Sequence, residues 1–292
     1  MRNSSIMIPV LLTRIKTSDG VALEGIAVLP KKSSGTALIW LHGLNSRFSS
    51  GQILVKEFSE QCRKKGIAYF KFNTRGHDAA GGSVAKSKKL TGGGFEKFEE
   101  CVFDIRAMAA FAQKLGYRRI ILAGHSTGAN KALFYMSRTR DPRVKHLILI
   151  APVSDRSGAS KVHGAAWHKK GLAIAHALKK KRAAYMPPEY GIMSPDRFIS
   201  LYSAGGREDV FPYDRADARW DALASIRTPL AVIVAERDEY LDRPARGIIA
   251  AFERHAQWTK SFSGIIIKSA NHGFRGKEKE LTEAMIGEVS GL

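Results

Sequence analysis

Chemistry in this 292-residue chain centres on Gly124-His125-Ser126-Thr127-Gly128, which follows the apolar run Ile120-Ile121-Leu122-Ala123 and precedes a helical pattern opening near Ala129. A serine set between a strand and a helix occupies a tight turn that projects its hydroxyl away from the backbone. Glycines flank it because a Cβ on either side would collide with the neighbouring strand and helix. The turn also aims the helix N-terminus at any negative charge that develops there. Ser126 is therefore the predicted nucleophile.

A serine hydroxyl needs a base, and the base needs an acid to orient it. Two later segments offer them in that order. Leu230-Ala231-Val232-Ile233-Val234 runs into Ala235-Glu236-Arg237-Asp238-Glu239-Tyr240, and Ile265-Ile266-Ile267 runs into Ser269-Ala270-Asn271-His272-Gly273-Phe274. Asp238 and His272 would both lie at carboxyl ends of sheet strands, on the rim that carries Ser126. Glu236 and Glu239 are rivals for the acid; Asp238 is preferred because it is the third residue of the turn and has the short side chain. The oxyanion of a tetrahedral intermediate requires donors. The Thr127 N–H, directly after the nucleophile, is one. The other is expected from His42-Gly43-Leu44-Asn45, after the strand Leu38-Ile39-Trp40-Leu41, with the Leu44 N–H as donor and Gly43 leaving room for substrate. His42 and His125 are read as structural, bonded to the backbone or packed beside the turn.

The elements that must position these residues alternate regularly. Strands are predicted at Val10–Lys16, Val21–Leu29, Ala37–Leu41, Ala68–Phe72, Arg119–Ala123, His146–Ile150, Leu230–Val234 and Ile265–Lys268. Those from Ala37 onward are apolar on both faces, as in a parallel sheet covered on both sides. Between Phe95 and Leu115, apolar residues recur every three or four positions, giving one buried helical stripe. The expected architecture is a doubly wound, mostly parallel α/β sheet that begins with an antiparallel pair. Residues 155–225 are too long for a simple crossover and are predicted as an inserted helical lid. Residues 1–154 and 226–292 then form the core.

Composition narrows the function classes. An apolar fraction of 44% and a charged fraction of 25% suit a globular chain and exclude disordered and rod-like ones. Cys62 and Cys101 make neither a bridge framework nor a ligand cluster, and fit buried thiols in a reducing cytoplasm. The apolar stretch Ile6–Leu12 is short, broken by Pro9 and followed by Arg14 and Lys16, so it reads as an entering strand and not a signal peptide. No run approaches a membrane span. The formal charge is +20. Seven bases and no acid fall within Lys161 to Arg182, and Lys86, Lys88 and Lys89 add to them. Two readings stay open: a solvated face, or a field steering an anionic substrate, or a membrane or polyanion surface, near the active site. No nucleic-acid module is recognisable. Trp167, Lys169, Lys170 and Phe198 are candidate substrate contacts from the inserted segment.

Taken together, Leu41-His42-Gly43, Asn73-Thr74-Arg75-Gly76-His77, Gly124-His125-Ser126-Thr127-Gly128, Asp238 and His272 resemble the α/β-hydrolase superfamily along nearly the whole chain. More narrowly, the continuation into Ala129-Asn130-Lys131, with Pro152 and Ser154-Asp155 after the next strand, resembles a group that includes fusarinine-type siderophore esterases. Ala235 departs from the pattern, in which glycine usually precedes the acid turn. The resemblance implies a Ser126–Asp238–His272 triad, an oxyanion hole from Leu44 and Thr127, a structural Arg75, and no need for a metal or an organic cofactor. The expected protein is a cytoplasmic serine esterase acting on a small-molecule ester through an acyl-enzyme. Acyltransferase, thioesterase or peptidase chemistry on the same triad, and a non-catalytic binding protein, are the alternatives. Haloalkane and epoxide hydrolysis are disfavoured, since they need a carboxylate where Ser126 stands.

Overall fold

The computed structural model describes residues 9–81, 90–182 and 184–289; Lys86, Lys88, Lys89 and residues 6–8 lie outside them. Eight strands form one sheet: β1 (Leu11–Lys16), β2 (Ala22–Val28), β3 (Thr36–Leu41), β4 (Ala68–Phe72), β5 (Arg119–His125), β6 (Val144–Ile150), β7 (Leu230–Ala235) and β8 (Phe262–Ile267). Their order is β1-β2-β4-β3-β5-β6-β7-β8. β1 pairs antiparallel with β2, and β2 with β4, while β4 through β8 are parallel. All eight predicted strands are present, within a few residues of their expected ends.

Alternation along the strands divides the core. Ile39 and Leu41 of β3 point into one apolar layer with Leu122, Leu147 and Val232. Leu38 and Trp40 point into the other with Ile121, Ile148 and Ile233. This period of two is what a twice-covered sheet requires. Helices α2 (Cys101–Lys114), α3 (Thr127–Thr139) and α8 (Ala245–His255) cover the first layer; α1 (Gln52–Lys64) and α9 (Glu278–Val289) cover the second. Cys62 and Cys101 are both free and buried.

The helix expected from Phe95 begins later. A single 3₁₀ turn at Phe98–Glu100 leads into α2 at Cys101. Residues 95 and 96 instead bond back to Gly92, which turns the Glu96 side chain inward to Lys131 at 2.8 Å. Arg75, after β4, reaches Asp104 on α2 at 2.9 Å, Glu100 at 2.6 Å and Asp19 of the β1–β2 turn at 2.8 Å. It thereby ties three segments beneath the rim, as a fork of donors suits it to do.

Chain connectivity passes from β3 to β4 on one side and then to β5 on the other. The strand order therefore reverses between β3 and β5, and a crevice opens there at their carboxyl ends. Between β6 and β7 the chain carries α4 (Asp155–His163), α5 (Ala165–Lys180), α6 (Pro195–Tyr202) and α7 (Asp221–Ala224). These helices build a small apolar cluster of their own around Ala175, Met186, Tyr190, Met193, Phe198 and Leu201.

Candidate active site

Ser126 sits at the junction of β5 and α3 with φ 56° and ψ −129°, a backbone conformation that non-glycine residues adopt only under constraint. The constraint is visible in its neighbours. A Cβ on Gly124 would stand 2.2 Å from the Gly128 carbonyl oxygen, and one on Gly128 would stand 2.4 Å from that of Leu41. β5, α3 and β3 are thus packed too closely for any side chain at either glycine. Ser126 is left facing a cavity of about 330 Å³, whose walls include Gly43, Leu44, His125, Asp155, Tyr202, Tyr240 and His272.

His272 follows β8 and reaches the same cavity. Its Nδ1 lies 2.8 Å from Asp238 Oδ2, and Asp238 is fixed in turn by the Tyr240 N–H, which donates to Oδ1 at 3.0 Å. The Asp238 side chain is fully buried and the His272 side chain 13% exposed. An acid on one ring nitrogen leaves the other, Nε2, for the cavity. The two rival carboxylates do different work. Glu236 accepts from the Ser269 N–H at 2.8 Å and Glu239 from the His272 N–H at 3.0 Å, so both hold the backbone of the histidine loop. Among the described residues Ser126 Oγ and His272 Nε2 make no hydrogen bond to each other; this contact commonly tightens only when substrate arrives.

The Leu44 and Thr127 amides have no acceptor among the described residues. Thr127 is the first residue of α3, where an N–H has no intrahelical partner. A Cβ on Gly43 would stand 2.9 Å from Ser126 Cβ, so the loop after β3 lies directly against the serine.

His42 and His125 are held by the backbone. His42 Nε2 accepts from the Thr74 N–H at 2.9 Å, so Nδ1 carries the proton and donates to the Gly43 carbonyl at 2.9 Å. Burial, with Lys131 nearby, pushes His42 down to about 3. The His125 Nε2 pairs with the His272 carbonyl at 2.8 Å, and burial pushes this ring down to about 4. Unfolded chain takes up a proton near pH 6.5 that folded His42 refuses, so stability falls as pH drops from 6.5 towards 3. Urea denaturation between pH 6 and 4.5 should show a slope shallower by about 1.4 kcal/mol per pH unit in His42→Gln than in the parent. Equal slopes would contradict a neutral buried ring.

Four expected substrate contacts lie elsewhere. Phe198 is fully buried in the cluster of the inserted helices, and Trp167 packs on its ring at 5.6 Å. Neither lines the cavity at Ser126. The reason is helical phase. Trp167, Gly171 and Ala175 share the face of α5 that meets α6, where a Cβ on Gly171 would approach Phe198 to 2.5 Å. Lys169 and Lys170 are exposed on other faces. Of the remaining bases in that run, Lys161 bonds the Leu241 carbonyl and Lys179 pairs with Asp196 at 2.6 Å. Among the described residues no lysine or arginine lines the cavity. Sequence reasoning did not find Tyr202 and Tyr240 in its wall; neither has a local signal.

A family described as "Protein of unknown function (DUF1749)" matches residues 91–292, well over half of the chain. The chain belongs to the DUF1749 family. That family is one of α/β hydrolases, and the fold agrees. No curated protein matches the sequence. Among solved structures, this DUF1749 chain is similar to the siderophore hydrolase EstB from Aspergillus fumigatus, with a TM-score of 0.71 and 16% identity over 100% of this chain and 99% of that one. It is also similar to the alpha/beta hydrolase GrgF from Penicillium sp. sh18, with 0.67 and 17% over 96% and 98%. The esterase Pf2001 from Pyrococcus furiosus gives 0.62 and 18% over 97% and 91%. Identities this low carry the fold. The protein has the α/β-hydrolase fold, and no helix among the described residues is long and apolar enough to cross a membrane.

Proposed function

We propose that this protein is a serine esterase that cleaves a small-molecule carboxylic ester through an acyl-enzyme. The observation that carries the reading is the Asp238–His272 pair at 2.8 Å, opening into the cavity faced by Ser126 on its strained turn. His272 Nε2 takes the Ser126 proton as Oγ attacks the acyl carbon. The Leu44 and Thr127 N–H groups donate to the oxyanion. His272 then passes that proton to the departing alcohol as the carbon–oxygen bond breaks, leaving the acyl group on Oγ. Water, deprotonated by the same ring, attacks the acyl carbon, and the carboxylic acid leaves as Oγ recovers its proton. Asp238 holds the imidazole and stabilises its cation throughout. Ester cleavage is favoured over acyl transfer by the similarity to structures named as an esterase and a siderophore hydrolase. The two buried free thiols fit the cytoplasmic location expected from the sequence.

A fluorophosphonate probe tests the reading. It should label Ser126 alone, identified by peptide mass, and stop turnover of p-nitrophenyl butyrate in proportion to labelling. Turnover that persists in fully labelled protein would overturn the assignment.

A further inference from the structure

The cavity wall holds one carboxylate that the proposed reaction does not use. Asp155 is the first residue of α4, whose N-cap Ser154 accepts from the Ser157 N–H. It shares the cavity with Ser126 and His272. Its Oδ2 is buried without a hydrogen-bond partner among the described residues. Burial, reinforced by Glu208, pushes this carboxyl up to about 8.

Charge balance behind Asp155 explains why it stands apart. Arg197 pairs with Glu208 and, at 3.2 Å, with Glu96. Lys131 pairs with Glu96 at 2.8 Å. These four side chains are at most 1% exposed and comprise two cations and two carboxylates. The cluster is neutral before Asp155 is added. The adjacent Arg156 is taken by Asp214. An ionised Asp155 would therefore have the α4 N-terminus beside it and the already paired Arg197 and Lys131 behind it, but no cation of its own for the buried Oδ2, which is costly. Two things relieve it: a proton, or a cation arriving in the cavity. Tyr202 and Tyr240 line the same cavity, and aromatic faces favour an ammonium. No lysine or arginine is among the described lining residues, so no permanently charged cation there opposes one.

We propose that Asp155 recognises a protonated amine carried by the substrate, so that the esters this site takes bear an ammonium group. The site's role in turnover rests on the esterase reading; ammonium binding itself does not.

Two measurements separate the claims. Calorimetric titration of n-pentylammonium and of 1-pentanol compares the parent with Asp155→Asn, which keeps size and removes the charge. The parent should bind the ammonium at least tenfold more tightly than the alcohol, and the variant should lose that preference. Asp155→Glu should retain part of it. Equal ammonium affinity in the parent and in Asp155→Asn, or no preference in the parent, overturns the proposal. In the second measurement, ω-aminoacyl ethyl esters with one to five methylenes are compared with esters in which methyl replaces the ammonium. A kcat/KM preference for an amino ester that collapses in Asp155→Asn supports the proposal. Parent enzyme that prefers every alkyl ester overturns it. Asp155-dependent ammonium binding without turnover of any ester supports Asp155 as the recognition residue while removing the esterase reading.

Discussion

Ser126→Ala should lower kcat for p-nitrophenyl butyrate by about 10⁴-fold or more, down to what the oxyanion donors and binding alone supply. The substitution removes only Oγ. Ser126 holds φ 56° because of the contacts at Gly124 and Gly128, and an alanine Cβ occupies the same volume as the serine Cβ. The melting temperature should therefore stay within a few degrees, and the variant should escape fluorophosphonate labelling. Activity within tenfold of the parent, in a variant shown to be folded, would mean that no acyl-serine forms.

Asp238→Asn should cost about 10⁴-fold in kcat, the scale on which losing the orienting carboxylate disables such a histidine. Asp238 accepts through Oδ2 from His272 Nδ1 and through Oδ1 from the Tyr240 N–H. In the variant, the amide oxygen can stay on the Tyr240 N–H, which turns the amide nitrogen towards Nδ1. A donor there forces the imidazole proton onto Nε2, and that nitrogen can no longer take the proton from Ser126. Steady-state kinetics and the rate of fluorophosphonate labelling should fall together, since both need the activated hydroxyl. A loss below tenfold would move the orienting role to Glu236 or Glu239. Their present bonds to the Ser269 and His272 amides make that outcome a direct contradiction of the geometry.

How much was legible beforehand depended on the range of the interaction. Strands β3 to β7 are apolar on both faces, so composition over five to seven residues announced them. The turn at Ser126 was legible for the same reason: two glycines and a small hydroxyl between a strand and a helix are a local steric solution. Chain order then brought Asp238 and His272 to one rim, because successive parallel strands place their carboxyl ends together.

Choices between neighbouring candidates were decided in three dimensions. Glu236, Asp238 and Glu239 lie within four residues and share one chemistry. Only the approach of the turn after β8 sorts the carboxylate that meets the imidazole from the two that meet amides. The inserted helices show the same limit. The aromatic and basic residues of α5 suggested a substrate surface, yet helical phase turned Trp167 towards α6 and left Lys169 and Lys170 in solvent. The neutral cluster of Glu96, Lys131, Arg197 and Glu208 joins residues up to 112 positions apart, which no local pattern encodes. Sequence alone determined the elements and the tight turn that carries Ser126, since those follow from short-range sterics and periodicity. Tertiary structure decided which charges are paired and which carboxylate, Asp155, is left over in the cavity, since pairing is a matter of distance through space.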